Sequence, residues 1–152
     1  MGINLIKAVG IFLGLFVLTG GLSGCSKEPV TLQSAQIVEN LDKGSGNFDR
    51  VLMICFNHPL TDTYYHKVTI LTKESVKISG EGLLRPLASD PDNKCQLKNI
   101  YTYINKDSPI GARELIRDYV IPGNVSQILI QVYESEPEGK ERPITERVFK
   151  NL

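Results

Sequence analysis

Apolar and polar residues are distributed in two different ways along the chain. From Ala8 to Leu22 the side chains are apolar or small, with only weakly polar interruptions. After Cys25, apolar residues occur instead in short segments, many of which alternate with polar residues. Alternation with a period of two predicts strands with one buried face, and the turn residues between segments predict loops.

Most segments after Cys25 have the character of short strands. Arg50–Phe56 contains a continuous apolar run from Val51 onward, as expected for a strand buried on both faces, and Val125–Tyr133 contains the strongest strand pattern. Ser108–Val120 differs because its apolar residues recur at helical spacing, with Ser108 as a candidate cap before Pro109. The predicted strands are Val30–Val38, Arg50–Phe56, His66–Thr72, Val76–Ile78, Leu83–Leu87, Gln96–Ile104, Val125–Tyr133 and Ile144–Phe149.

Composition supports the same fold class. The 128 residues from Cys25 onward contain three alanines against 28 valines, isoleucines and threonines. Alanine favours helices and β-branched residues favour strands. We therefore predict a mainly all-β domain, an immunoglobulin-like β-sandwich of about seven strands, with room for one short helix near residues 109–119. The core tryptophan of true immunoglobulin domains is absent, because the chain has no tryptophan.

The N-terminal run has the features of an export signal. Lys7 precedes an apolar stretch that is short for a membrane span, and small residues follow it. Leu22-Ser23-Gly24-Cys25 resembles the lipobox of bacterial lipoproteins. The resemblance implies that signal peptidase recognises Leu22, Ser23 and Gly24, and that Cys25 is the lipid attachment site. The expected organisation is a signal peptide at 1–24, a lipidated tether at 25–29 and a sandwich domain at 30–152. The alternative is an uncleaved anchor helix.

The residue after the lipobox cysteine indicates which membrane would hold the chain. An Asp there would resemble the inner-membrane retention signal of enteric bacteria, whereas this chain has Ser26. The resemblance thus implies the periplasmic face of the outer membrane. Attachment would come from the diacylglycerol and N-acyl lipid on Cys25, at about 0.8 kcal/mol per buried methylene. No other cofactor is expected.

Cys55 and Cys95 are the two cysteines that remain if Cys25 carries lipid. In an exported protein they predict one disulfide, because the compartment is oxidising. One alternative is a pair of buried free thiols. Another is a catalytic thiol, since His58 lies three residues after Cys55 and a neighbouring histidine can activate a thiol. The disulfide is favoured because it accounts for both cysteines.

Charge and motif content narrow the function classes. The residues from Cys25 onward carry 16 basic and 17 acidic side chains, a balance that argues against nucleic-acid binding. The sequence contains no Gly-x-Ser-x-Gly elbow, phosphate-binding loop or His-Glu-x-x-His helix, so we do not expect an enzyme. His58, Asp62 and His66 match no strong zinc pattern, and we predict no metal site.

Two loops are the natural places for a protein partner to bind. They are the segment from Asn57 to Tyr65 and the charged segment from Glu134 to Arg142. Tyr64 and Tyr65 are the candidate partner-binding residues, because tyrosine is a frequent anchor of protein interfaces. The alternative is that both pack on the edge of a sheet.

One family shares several of these features. A lipobox, a buried strand ending in Ile54-Cys55-Phe56 and a second cysteine 40 residues later resemble the type VI secretion immunity lipoproteins of enterobacteria. Those are small periplasmic β-sandwich proteins that neutralise effectors delivered into the periplasm. The resemblance implies a membrane-anchored binding module whose partner is a periplasmic effector, and it carries over no binding residues.

Two other lipoprotein classes are alternatives. The first is a structural lipoprotein of an envelope secretion complex, a family that does not normally carry a disulfide. The second is a lysozyme inhibitor of the membrane-bound kind. Its Ser-Gly-x-x-x-Tyr-like loop is not reproduced by Ser79-Gly80, because no tyrosine follows within reach.

Overall fold

The alternating segments form strands in a computed structural model, which describes residues 29–41, 48–103, 111–150 and 152. Among those residues the chain forms seven strands, one 3-10 turn and one α-helix. The elements are β1 (Leu32–Leu41), β2 (Phe48–Phe56), β3 (Tyr64–Thr72), β4 (Lys77–Leu84), β5 (Cys95–Asn99), the 3-10 turn (Ile100–Tyr103), α1 (Ala112–Tyr119), β6 (Val125–Tyr133) and β7 (Thr145–Lys150).

The strands pair into two antiparallel sheets. One sheet has three strands in the order β1-β2-β5, and the other has four in the order β4-β3-β6-β7. The inner faces of both sheets contribute to a single hydrophobic core. The predicted mainly-β sandwich of about seven strands with one short helix is confirmed.

The period of two explains how the core forms. Alternate residues of β2, β3 and β6 point between the sheets, and burying each large aliphatic side chain contributes about 1.5–3 kcal/mol. From α1 and its C-terminal cap, Ile116 and Val120 join the same core. The fully buried apolar core side chains of these three strands are Leu52, Ile54, Phe56, Ile70, Val125, Ile128, Ile130 and Val132.

The predicted strands Val76–Ile78 and Leu83–Leu87 are wrong as separate elements. They belong to one strand, β4, whose register with β3 runs unbroken from Lys77 to Leu84. Gly80 lies inside this strand, where the ring of Tyr103 packs against its backbone. A side chain at position 80 would overlap that ring, so Gly80 allows close packing and does not mark a turn.

Other boundaries also differ from the sequence prediction, among them the end of β5 and the start of α1. The strand predicted to reach Ile104 ends at Asn99, because the Asn99 side-chain oxygen accepts the backbone N–H of Tyr101 at 2.9 Å and starts the 3-10 turn. The helix begins at Ala112, with Gly111 as its N-cap at φ 101°. Ser108 and Pro109, the predicted cap, lie outside the described residues.

Candidate functional site

Cys55 and Cys95 form a disulfide, as the cysteine count predicted. The two residues are directly paired across β2 and β5, with their Cα atoms 4.0 Å apart. The alternatives of free or catalytic thiols are therefore wrong for this pair. The bond joins the end of β2 to the beginning of β5, so it fixes the register of the three-stranded sheet at one end of the sandwich.

Three loops lie at this same end, which we call the tether end. They are residues 57–63, 85–94 and 134–144, because β2, β4 and β6 end here and the strands that follow them begin here. The two sheets meet at this end, where Arg147 near the start of β7 donates to the carbonyl oxygen of Leu32 at 2.8 Å. The opposite end, which we call the far end, contains the turn 73–76 and the segment 121–124 before β6.

The first described residues are also held at the tether end. The side-chain oxygen of Asn57 accepts the backbone N–H of Thr31 at 2.8 Å, and its amide nitrogen donates to the carbonyl oxygen of Pro29 at 3.1 Å. The backbone N–H of Asn57 donates to the carbonyl oxygen of Thr31 at 3.1 Å. Val30 is buried in the core. The domain therefore begins next to the loops and next to the disulfide.

Tyr64 and Tyr65, the candidate partner-binding residues, begin β3 at the tether end. Tyr64 is half-buried and packs against the core. Tyr65 is 7% exposed and points to the other side of the sheet. Burial and a hydrogen bond to Glu81 raise the pKa of Tyr65 to about 12. The role of both tyrosines in partner binding stays a prediction, and this packing leaves little of Tyr65 open to a partner.

A shallow groove of about 580 Å³ lies beside Tyr65 on the outer face of the four-stranded sheet. Its outer-face side chains are directly opposite one another: Lys67 faces both Glu81 and Gln131 across neighbouring strands, and Thr69 faces Ser79. The Thr69 and Ser79 hydroxyl oxygens are 3.2 Å apart, and the ammonium of Lys67 lies 5.8 Å from the ring centre of Tyr133. Hydroxyls, an amide, one cation and one carboxylate suit a polar, hydrogen-bonding ligand or peptide segment. The groove is lined by Lys67, Val68, Thr69, Ser79, Gly80, Glu81, Thr102, Tyr103 and Gln131.

Behind this groove, His66 and Tyr103 form a buried polar pair. His66 is 1% exposed, and its Nδ1 lies 2.7 Å from the carbonyl oxygen of Gly82. Because a carbonyl oxygen only accepts, Nδ1 carries the proton, and Nε2 accepts the Tyr103 hydroxyl at 2.8 Å. Burial lowers the pKa of His66 to about 4 and raises that of Tyr103. The pair thus holds a neutral imidazole inside the sandwich.

The remaining candidate metal ligands do not converge. Both ring nitrogens of His66 have protein partners, and the Nδ1 of His58 lies 2.9 Å from the carbonyl oxygen of Pro59. In the part of the chain that the structure describes, no group of three or more His, Cys, Asp or Glu side chains could hold a metal ion.

Neither a protein-family model, nor a curated protein, nor a solved structure matches this chain. Leu22, Ser23, Gly24 and Cys25 lie outside the described residues, so the lipobox and the lipid attachment stay predictions. Among the described residues, no helix is long and apolar enough to cross a membrane.

The buried pair and the groove were missed by the sequence analysis, although part of the signal was present. His66 shares its parity with Val68 and Ile70 in the predicted strand His66–Thr72, which places all three on the core face. Its partner Tyr103 is distant in sequence, and no local pattern connects the two. The groove is formed by three neighbouring strands and the 3-10 turn, so its prediction requires the strand order.

Proposed function

We propose that this chain is an exported lipoprotein whose sandwich domain is a binding module, anchored by Cys25 to the outer membrane and facing the periplasm. Its function would be that of an immunity protein, which binds and neutralises a type VI effector delivered into the periplasm. The observation that carries the proposal is the Cys55–Cys95 disulfide in a chain that has a lipobox-like sequence at Leu22–Cys25. Structural disulfides persist in oxidising compartments, including the periplasm.

The groove on the four-stranded sheet supports a binding role. Five of its polar side chains lie on three paired strands, so the sheet holds their backbone positions fixed before any partner arrives. Preformed recognition surfaces lose less conformational entropy on binding. We infer that a polar segment of the effector occupies this groove, with Lys67 and Glu81 supplying charge complementarity.

Anchorage is tested by the mass of the N-terminal peptide from protein purified out of membranes. We expect diacylglycerol and an additional acyl chain on Cys25, and we expect the Cys25→Ser variant to lack both. A Ser26→Asp variant tests the choice of membrane, since it should move the protein toward the inner membrane. An unmodified Cys25 in the native protein would refute the anchorage.

The binding role is tested with a photo-crosslinking amino acid placed in the groove at Thr69. A control carries it at Leu97, which is 56% exposed and belongs to the other sheet. We expect the Thr69 position, and not the Leu97 position, to crosslink in the producing cell to a secreted enzyme that the purified protein inhibits. Recovery of secretion-machine components with no such enzyme would favour the structural lipoprotein. Inhibition of lysozyme would favour the inhibitor class.

A further inference from the structure

The position at which the chain enters the sandwich restricts how an anchored domain can be oriented. Asn57 holds both Pro29 and Thr31 at the tether end, beside the three loops. Val30 is 6% exposed in the core, so the domain cannot release this segment without losing buried contacts. The attachment point is therefore fixed at one end of the strands and not in the middle of a sheet face.

The chain available between lipid and domain is short. Only Ser26, Lys27 and Glu28 separate Cys25 from Pro29. A fully extended chain spans at most about 3.5 Å per residue, which gives roughly 14 Å from the Cys25 Cα to the Pro29 Cα. A strand such as β6, with nine residues, extends about 30 Å at 3.3 Å per residue. The far end is thus about twice as far from Pro29 as the tether can reach.

From these lengths we infer that the tether end faces the membrane and that the far end points into the periplasm. This inference rests on the proposed anchorage through Cys25. It assigns the loops 57–63, 85–94 and 134–144, with the neighbouring Tyr64, to the membrane side. A folded protein partner is therefore expected to reach the groove and the far end more easily than these loops.

The charge of the tether end indicates what kind of contact it makes with lipid. The three loops carry seven acidic and four basic side chains. This excess of negative charge repels an anionic bilayer surface, and the repulsion decays within about 10 Å at 0.1 M salt. The tether end should therefore face the lipid across a water layer and should not insert. The charged residues are Asp62, Arg85, Asp90, Asp92, Lys94, Glu134, Glu136, Glu138, Lys140, Glu141 and Arg142.

The absence of tryptophan from the sequence makes a direct test possible. Ile144→Trp places one fluorophore at the tether end, and Tyr119→Trp places one at the far end. Position 119 lies at the far end because its carbonyl oxygen accepts a hydrogen bond from the side chain of Asn124, which is in the segment 121–124. The native side chains are 44% and 36% exposed, so the two probes are matched. Each full-length lipidated variant is placed in phosphatidylethanolamine and phosphatidylglycerol vesicles that contain a dansyl-labelled headgroup, and energy transfer from tryptophan to dansyl is measured.

We expect transfer from Ile144→Trp to be several-fold stronger than from Tyr119→Trp, and to increase with salt as the repulsion is screened. Suppose that the Cys25 peptide carries the acyl mass and that transfer from the two variants is equal, or stronger from Tyr119→Trp. That result would overturn the orientation and leave the anchorage standing. Absence of the acyl mass would overturn the anchorage and the orientation together. A blue-shifted Ile144→Trp emission on vesicles would show insertion into lipid, which contradicts the water layer.

Discussion

Acidification should destabilise the sandwich by charging His66, which is 1% exposed in the core. The groups that face its ring come from three elements. Gly82 of β4 accepts the Nδ1 proton, the Tyr103 hydroxyl of the 3-10 turn donates to Nε2, and Lys98 of β5 adds a nearby positive charge. Glu81 acts in the opposite direction, with a smaller effect. A second ring proton would displace the Tyr103 hydroxyl bond and place a charge where water cannot solvate it.

The size of the effect follows from the two pKa values. Burial lowers the pKa of His66 from 6.5 in the unfolded chain to about 4 in the folded domain. At about 1.4 kcal/mol per pH unit, this difference amounts to roughly 3 kcal/mol. Between these pH values the unfolded state binds more protons, so stability is fully present above pH 6.5 and decreases as the pH falls toward 4. Domains of this size have about 5–15 kcal/mol in total, so the loss is a large fraction.

Urea unfolding followed by far-ultraviolet circular dichroism measures this loss on the chain from Ser26 onward, at pH values between 7.5 and 4. The carboxylates also titrate near the lower limit, so the comparison is with His66→Gln, which removes only this imidazole. We expect the native chain to lose roughly 3 kcal/mol more than His66→Gln across the window. His58→Gln is the matched control and should retain the native dependence, because it leaves the buried ring unchanged.

The midpoint of the His66 ring-proton signal in nuclear magnetic resonance gives an independent value. We expect that midpoint near 4, and we expect Tyr103→Phe to raise it, because Nε2 then loses the donor that favours the neutral ring. A midpoint near 6.5, or equal pH dependence in the native chain and His66→Gln, would refute the reasoning.

Three further perturbations test the contacts described above. Replacing Cys55 and Cys95 together by Ala should lower the free energy of unfolding by about 4 kcal/mol, as the loop-entropy model gives for a separation of 40 residues. The loss is measured as a lower urea midpoint. Native protein whose mass does not increase by two protons on reduction would contradict the bond. Gly80→Ala should cost about 1–3 kcal/mol through overlap with the ring packed on it, whereas Gly82→Ala, whose nearest contact would be 3.6 Å, should cost less; similar losses would contradict the packing. Asn57→Ala should speed hydrogen exchange of the backbone amides at the start of β1. Asn57→Asp should have an intermediate effect, because it keeps the acceptor for Thr31 and loses the donor to Pro29. Unchanged exchange would contradict the role of this side chain.

The local pattern of apolar and polar residues was sufficient to predict a strand where that pattern matches the burial of the strand in the structure. Val125–Tyr133 has the same limits in the structure as in the prediction, because Ile128, Ile130 and Val132 recur with a period of two and are all buried. The pattern was misleading where one residue has a nonlocal partner. Val76–Ile78 and Leu83–Leu87 were predicted as separate strands, yet the chain continues between them because Gly80 packs against the ring of Tyr103. Asn99 ends β5 through its side chain, which apolar periodicity does not record.

The candidate site also has features that could be predicted from the sequence and features that could not. The disulfide followed from the number of cysteines and the expected compartment, without any knowledge of strand order. The location of the loops could not be predicted from the cysteine count. The pairing of Leu32 with Phe56 and of Cys55 with Cys95 shows that the loops lie at the same end of the sandwich as the start of the domain. Burial of Tyr65 also depends on pairing, because its neighbours Glu81 and Tyr133 come from two other strands.

Two constraints on the three-stranded sheet lie at the tether end: the hydrogen bonds of Asn57 and the Cys55–Cys95 disulfide. This is the end at which a membrane anchor would pull on the domain. Under the proposed anchorage, any pull on the lipid reaches the domain at Pro29 and passes through Asn57 to the end of β2. β2 is the central strand, with β1 paired along one edge and β5 joined covalently through Cys55 and Cys95 on the other. A pull along β1 therefore loads its hydrogen bonds with β2 together and cannot separate β2 from β5 at this end. The disulfide thus holds β2, the strand that would receive this load from β1, to β5.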